Sequence, residues 1–235
     1  KTTEVNDSTR WRYGSITKVF TAVMILQLES EGKLSIDDSV TKYIDLKQHN
    51  AAGITIKHLL NHSSGLYNYT ASKKLKWEDT PNQCLENSLK RKLNFTPGSK
   101  YDYCNTGYVI LGLIIEKITA QSYQQNITER IFKPCGLESM IYCSDDKIPF
   151  NTARGYKIKH NKYTDFTEID HSWANSAGAV LGNLTDLNKF VDCLFKGNLI
   201  DSSQLKKMIS PTIIYRDLNA DGMEWFYHGV GLCWD

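Results

Sequence analysis

Tyr13-Gly-Ser-Ile-Thr-Lys-Val-Phe-Thr-Ala-Val-Met-Ile-Leu-Gln-Leu28 is the most strongly patterned segment of the chain. Its apolar residues Ile16, Val19, Phe20, Val23, Ile25, Leu26 and Leu28 recur at helical spacing, which predicts a helix over 15–31 with a broad apolar face. Gly32 supplies the residue type that ends such a helix. Positions i and i+3 share a helix face, so the Lys18 amine can approach the Ser15 hydroxyl. Ser15 is expected at the helix N-terminus, where the macrodipole favours developing negative charge. An amine pressed into a partly dry cleft loses proton affinity and can serve as a base. Ser15 and Lys18 are therefore the first candidates for nucleophilic chemistry.

The spacing alone is weak, because Ser-x-x-Lys recurs at Ser30/Lys33, Ser39/Lys42, Ser144/Lys147 and Ser203/Lys206. Those pairs read as solvated helix faces. Ser15 differs in its setting, with a glycine before it and a strongly apolar helix after it. A second candidate is Tyr103-Cys-Asn105, the single Tyr-x-Asn in the sequence. It follows the Pro97-Gly98 turn and precedes an apolar helix. If residues 103–105 are extended, Tyr103 and Asn105 point to one side and Cys104 to the other. A phenol and a carboxamide then face one cleft. The bland alternative is a tyrosine packed on the following helix, with Asn105 as its cap.

Working outward, helices are expected over 80–93, Tyr108–Thr119, Ser122–Phe132, from Asn183 or Thr185 to Phe195, and from Ser202 to Met208. Shorter helical turns are expected over Ser39–Tyr43 and His58–Asn61. Residues 150–170 read as loops with short strands, and Trp225–Trp234 as a strand. The 235 residues are ample for a hydrophobic core. Lys plus Arg number 28 against 26 Asp plus Glu, leaving a net charge of +2, which argues against a nucleic-acid binder driven by bulk electrostatics. The longest apolar run, Val109–Ile115, falls far short of the roughly 18–20 residues of a membrane span. The opening residues 1–10 hold no apolar leader region, so the expectation is a cytoplasmic protein or a leader already removed.

Six cysteines are scattered without a Cys-x-x-Cys pair, which disfavours a zinc ribbon. Cys135 and Cys143 are the candidate local disulfide. His58 and His62 have the spacing of a helical zinc pair, but lack the glutamate of His-Glu-x-x-His and a third ligand. No metal is expected, and His62 reads as ordering the loop that ends at Gly65. The chain has no Gly-x-Ser-x-Gly elbow and no phosphate-binding glycine loop. Asn-x-Ser/Thr sequons at Asn6, Asn61, Asn68, Asn94, Asn126 and Asn183 read as products of composition, and Asn61 is expected near the cleft, where a glycan fits badly.

Tyr13-Gly-Ser-Ile-Thr-Lys18 is followed in order by Leu28-Glu-Ser-Glu-Gly-Lys-Leu-Ser-Ile-Asp-Asp38 and Ile54-Thr-Ile-Lys-His-Leu-Leu-Asn-His-Ser-Ser-Gly-Leu66. Then come Pro97-Gly-Ser-Lys-Tyr-Asp-Tyr-Cys-Asn-Thr-Gly-Tyr108, Leu111-Gly-Leu-Ile-Ile-Glu-Lys117, Ser176-Ala-Gly-Ala-Val180 and Asp186-Leu-Asn-Lys-Phe190. This ordered set resembles the serine β-lactamase and penicillin-binding family. It looks most like the branch of class C β-lactamases, DD-carboxypeptidases and related esterases. The resemblance implies an α/β (α+β) fold of β-lactamase/transpeptidase type: an antiparallel sheet flanked by helices plus a mostly helical region. Residues 1–235 then form one such domain, incomplete at both ends. Residues 1–35 carry the nucleophile helix, 36–210 the mostly helical region, and 211–235 the start of a C-terminal sheet portion.

By the same resemblance Ser15 is the acylated nucleophile, Lys18 its activating amine and Tyr103 a proton shuttle. Asn105 binds the substrate's amide and steadies Lys18, and the Ser15 backbone amide gives half of an oxyanion hole. The implied substrate is a β-lactam, a D-alanyl peptide or an ester, with no cofactor. The implied location is periplasmic or secreted. A non-catalytic binding or regulatory protein is the alternative. Its support is the family's third motif, Lys or His followed by a small residue and Gly, which is not found. His228-Gly-Val230 lacks the final glycine, and Tyr227-His-Gly-Val-Gly-Leu-Cys-Trp234 better resembles the strand that precedes that motif.

Overall fold

The computed structural model describes residues 4–46, 51–72, 80–143, 148–168, 172–218 and 224–232. Strand β1 (Trp11–Arg12) runs through a 3-10 turn, Gly14–Ile16, into helix α1 (Thr17–Ser30). Ten of the fourteen α1 residues are buried: its apolar face together with Thr17, Lys18 and Thr21, which bond within the interior. Gly32, at φ +69°, takes the chain out of the helix. Helix α2 (Ile56–Leu60) starts at a capping box in which Thr55 Oγ1 accepts the His58 N–H and His58 Nδ1 accepts the Thr55 N–H. Helix α3 (Pro81–Leu89) has a second capping box, between Thr80 and Gln83, with proline at the first helical position.

Helix α4 (Asn105–Thr119) packs against α1, α2 and α3. It begins three residues before the expected start, so Asn105 is its first residue and Cys104 its extended N-cap. The expected helix over Ser122–Phe132 divides into α5 (Tyr123–Ile127) and a π-helical turn, Thr128–Phe132. Beyond it come β2 (Ile141–Tyr142), the hairpin β3 (Tyr156–Lys159) and β4 (Lys162–Asp165), the one-turn helix α6 (Asn175–Gly178) and β5 (Val180–Gly182). Helices α7 (Leu184–Phe195) and α8 (Ser202–Ile209) follow, capped by Asn183 and Asp201. The described chain ends on the hairpin β6 (Ile213–Leu218) and β7 (Glu224–Val230). The strand expected over Trp225–Trp234 thus starts one residue earlier and stops at Val230. Residues 233–235 lie outside the described residues.

Among the described residues the strands form three small antiparallel sheets, with strand orders β1-β5-β2, β3-β4 and β6-β7. In the first, Trp11 pairs with Gly182 and Arg12 with Leu181, while Ile141 and Tyr142 pair with Leu181 and Val180. The fully buried β5 is therefore central, and Tyr13 extends β1 by donating its N–H to the Val180 carbonyl at 3.0 Å. The antiparallel sheets, the helices beside them and the mostly helical middle agree with the expected fold class. The core is continuous across α1, α4 and α7. Phe20 is fully buried, its ring 4.1 Å from Phe190 and edge-on to Phe132 at 6.1 Å.

The cysteine expectation is corrected. Cys135 is bonded to Cys193 on α7, not to Cys143. Cys143 follows β2, where its N–H is committed to the Ala179 carbonyl at 2.9 Å, so it is a buried thiol beside the central sheet. Sequence proximity favours a local pair, but packing brings the end of the π-helical turn against α7.

Candidate active site

Ser15 lies in the turn between β1 and α1. Gly14, at φ +53°, lets the chain leave the sheet and turn at once into the helix. Ser15 is exposed, whereas Lys18, one turn later, is only 2% exposed. Lys18 Nζ donates to Ser15 Oγ at 3.2 Å, to Asn105 Oδ1 at 2.8 Å and to the Ala177 carbonyl at 2.7 Å. It also sits 4.9 Å from the Tyr103 ring centre and 5.5 Å from that of Tyr108. Tyr103 donates its hydroxyl to Ser15 Oγ at 2.7 Å. The four residues singled out in the sequence are thus linked in one cluster, Lys18 and Tyr103 on the Ser15 hydroxyl and Asn105 on the Lys18 amine.

Each partner is held by a different part of the fold. The Ala177 carbonyl comes from α6, which is pinned from both sides. Ser176 Oγ donates to the Tyr108 carbonyl on α4 at 2.8 Å, and Thr21 Oγ1 on α1 donates to the Ser176 carbonyl at 2.7 Å. The close approach of α4 to α6 depends on Gly112: a Cβ there stands 2.8 Å from Ser176 Cβ.

Tyr103 is placed by the loop after α2. His62, at φ +58°, accepts the Asp102 N–H on its carbonyl at 2.9 Å and the Cys104 N–H on Nδ1 at 3.1 Å. It therefore grips the chain on both sides of Tyr103, and its ring lies 4.4 Å from the Tyr103 ring. Burial, helped by the Lys18 charge, pushes the imidazole down from 6.5 to about 3, so it is neutral. The same loop is tied to the Pro97-Gly98 turn, where the Gly98 N–H donates to the Ser63 carbonyl at 2.8 Å.

Cys104 points away from the site, as alternation requires. Its buried Sγ donates to the Leu66 carbonyl at 3.4 Å, and burial pushes the thiol up, away from a reactive thiolate. Asn61 is buried, its Oδ1 accepting from Ser63 Oγ at 2.6 Å and its Nδ2 donating to Thr212 Oγ1 at 3.0 Å, which leaves no room for a glycan. His58 and His62 spend their Nδ1 atoms on backbone amides. Among the described residues, no three His, Cys, Asp or Glu side chains gather to hold a metal.

The sequence reading missed the parts that four residues play. The Ala177 carbonyl carries no side-chain signal. His62 does more than order its own loop. Asn68 and Thr70 surround the Asn105 amide: Asn105 Nδ2 donates to Thr70 Oγ1 at 3.1 Å and to Asn68 Oδ1 at 3.4 Å. The oxygen of Asn105 steadies Lys18, while its nitrogen is turned toward residues 68 and 70.

Residues 1–233 match the family model described as Beta-lactamase. The chain belongs to the beta-lactamase family. It is 31% identical over 207 residues to the putative penicillin-binding protein PbpX of Bacillus subtilis (strain 168), covering 88% of this chain and 51% of that protein. It is 28% identical over 241 residues to protein flp of Staphylococcus aureus (strain MW2), covering 96% and 47%. The chain therefore spans about half the length of the curated relatives it matches. Among solved structures, a D-stereospecific amidohydrolase from Streptomyces sp. superposes with TM-score 0.81 at 28% identity, covering 95% of this chain and 75% of that one. The D-amino acid amidase of Ochrobactrum anthropi SV3, complexed with D-phenylalanine, gives 0.80 at 25%, covering 92% and 64%. Both solved neighbours are named as enzymes that act on amides, a D-stereospecific amidohydrolase and a D-amino acid amidase.

Proposed function

We propose that this chain carries the acylation site of a serine hydrolase that opens the amide carbonyl of a β-lactam or of a D-alanyl or related D-amino acid amide. The observation that carries the reading is Ser15 Oγ, exposed and held 3.2 Å from Lys18 Nζ and 2.7 Å from the Tyr103 hydroxyl. Once Lys18 has lost one proton, its two remaining N–H bonds stay on Asn105 Oδ1 and the Ala177 carbonyl and its lone pair faces Ser15 Oγ, which gives up its proton to the amine as it attacks the carbonyl. The carbonyl electrons move onto oxygen, where the Ser15 N–H stabilises them as one oxyanion donor. Collapse breaks the C–N bond, and the proton passes from Lys18 through Tyr103 to the leaving nitrogen. Water activated beside Tyr103 then releases the acid. The chemistry needs no cofactor.

The choice of D-configured amides is supported by neighbours named a D-stereospecific amidohydrolase and a D-amino acid amidase. The Cys135–Cys193 disulfide suits an oxidising compartment, periplasmic or extracellular.

Intact-mass analysis after incubation with a penicillin and, separately, with D-phenylalanine amide tests the reading. The expected result is a Ser15 adduct by peptide mapping, or turnover of one compound, with both abolished by Ser15→Ala. Unmodified protein beside intact penicillin and intact amide overturns it and favours the non-catalytic reading.

A further inference from the structure

We infer that Asn68 and Thr70 form a polarity lock that holds the Asn105 carboxamide with its oxygen toward Lys18, making both of them positioning residues for Ser15 acylation. The inference rests on the proposed role of Ser15 and Lys18, but its geometry stands by itself. An amide side chain can rotate by half a turn and exchange its oxygen for its nitrogen, so its direction has to be set by its surroundings.

Here the direction is traceable to groups that cannot be reversed. The backbone amides of Thr70 and Asn105 can only donate, and both donate to Asn68 Oδ1 at 3.3 Å. The Tyr103 carbonyl can only accept, and it accepts Asn68 Nδ2 at 3.3 Å. These three backbone groups fix which end of the Asn68 amide is oxygen. With that oxygen fixed as an acceptor, the Thr70 hydroxyl donates to it at 2.9 Å. Having spent its one proton, Thr70 Oγ1 faces Asn105 with lone pairs alone. It accepts Asn105 Nδ2 at 3.1 Å, and the Asn105 oxygen is left facing Lys18 Nζ at 2.8 Å. A reversed Asn105 would turn its NH₂ against the Lys18 N–H donor and its oxygen against the lone pairs of Thr70 Oγ1 and Asn68 Oδ1, leaving both sides unpaired. The Asn-x-Thr pattern at residues 68–70, read in the sequence as a chance sequon, is the short-range turn that makes this possible, since Asn68 Oδ1 bonds the backbone two residues on. The same Asn68 holds the backbone of Tyr103, so one side chain aligns both members of the Tyr-x-Asn pair.

The test compares wild type with Thr70→Val, which keeps the shape but removes the hydroxyl, and with Thr70→Ser, which restores it; Thr70→Ala replaces the valine variant if circular dichroism shows that valine does not fold. Two quantities are read. The first is solvent exchange of the Asn105 side-chain NH₂ protons by NMR, assigned through their loss in Asn105→Asp. The second is the rate of Ser15 acylation by a penicillin. Loss of one bond in a charge-linked relay is expected to speed the exchange at least tenfold and slow acylation by about ten- to a hundredfold. Thr70→Ser is expected to recover both. Unchanged exchange in the hydroxyl-free variant overturns the lock. Faster exchange with an unchanged acylation rate overturns the positioning role. Where wild type reacts with D-phenylalanine amide and not with a penicillin, the rate is read with the amide; wild type that reacts with neither compound overturns the proposed reaction and with it the positioning role, while the NMR measurement still decides the lock.

Discussion

The His62 ring lies 4.4 Å from Tyr103 and 5.2 Å from Tyr108, with Nδ1 accepting the Cys104 N–H. Its neutrality has a consequence for stability. The folded imidazole protonates at about 3 and its ordinary value is 6.5, so between those pH values the unfolded chain holds a proton that the folded chain does not. Stability therefore rises with pH across this window and is lost as pH falls through it, by at most about 1.4 kcal/mol per pH unit from this group. Glu31, Asp38 and Asp165 have folded values of about 2, so their contributions fade only below their ordinary carboxylate values. The window from 6.5 to about 4.5 belongs to histidines, His62 first and His58, also lowered by burial, second. Denaturant titrations at pH 6.5 and 5 should show wild type losing stability on acidification. His62→Asn, tolerated at the left-handed φ of this position, should be weaker at neutral pH but lose less on acidification. Equal losses in the two proteins would remove His62 as the cause. The pH effect was not legible in the sequence, which marks His62 by its spacing from His58 and as a loop-ordering residue; its partner Cys104 is 42 residues downstream.

Helices α4 and α6 meet where the sequence has Gly112 and Ser176. Adding a methyl group at Gly112 forces Ser176 aside, and Tyr123 Cδ2 stands 3.4 Å away on the other side. Overpacking of this kind costs roughly 1–3 kcal/mol, partly offset by about 1 kcal/mol of gained helix propensity. Ser176 precedes Ala177, whose carbonyl holds Lys18, so the displacement reaches the site. Gly112→Ala is expected to lower the melting temperature by several degrees and slow Ser15 acylation. Gly53→Ala, whose methyl group meets only Pro97 Cγ at 4.0 Å, should do neither. A Gly112→Ala protein that melts with wild type would sink the argument. Elements with an apolar period were legible: α1, α4, α7 and α8 all fall within a few residues of their expected bounds. The elements that complete the sheet were not. β1, β2 and β5 are two or three residues long, too short for any period to register. α6 is a single turn of small residues.

Across the whole chain, the Cys135–Cys193 disulfide closes a loop of 58 residues that contains β2, the β3–β4 hairpin, α6 and β5. Those elements supply the strand that pairs with β1 and the carbonyl that holds Lys18. Few of them carry a core of their own: every residue of β3 and β4 is exposed. A cross-link over this length lowers the entropy of the unfolded chain enough to stabilise the fold by about 4 kcal/mol in the chain-entropy account. The sequence could not supply this pairing, because six cysteines without a local motif give no distances. Cys135→Ser/Cys193→Ser, or reduction of the wild type, is expected to lower the denaturation midpoint markedly. Because the loop includes α6, the loss should also show as faster amide exchange over 172–182 than in α2, which packs on α4 outside the cross-linked loop. Uniform exchange across both regions would mean that the disulfide stabilises the molecule as one cooperative unit, and equal midpoints in oxidised and reduced protein would mean that packing of α7 on Phe20 holds the loop without it.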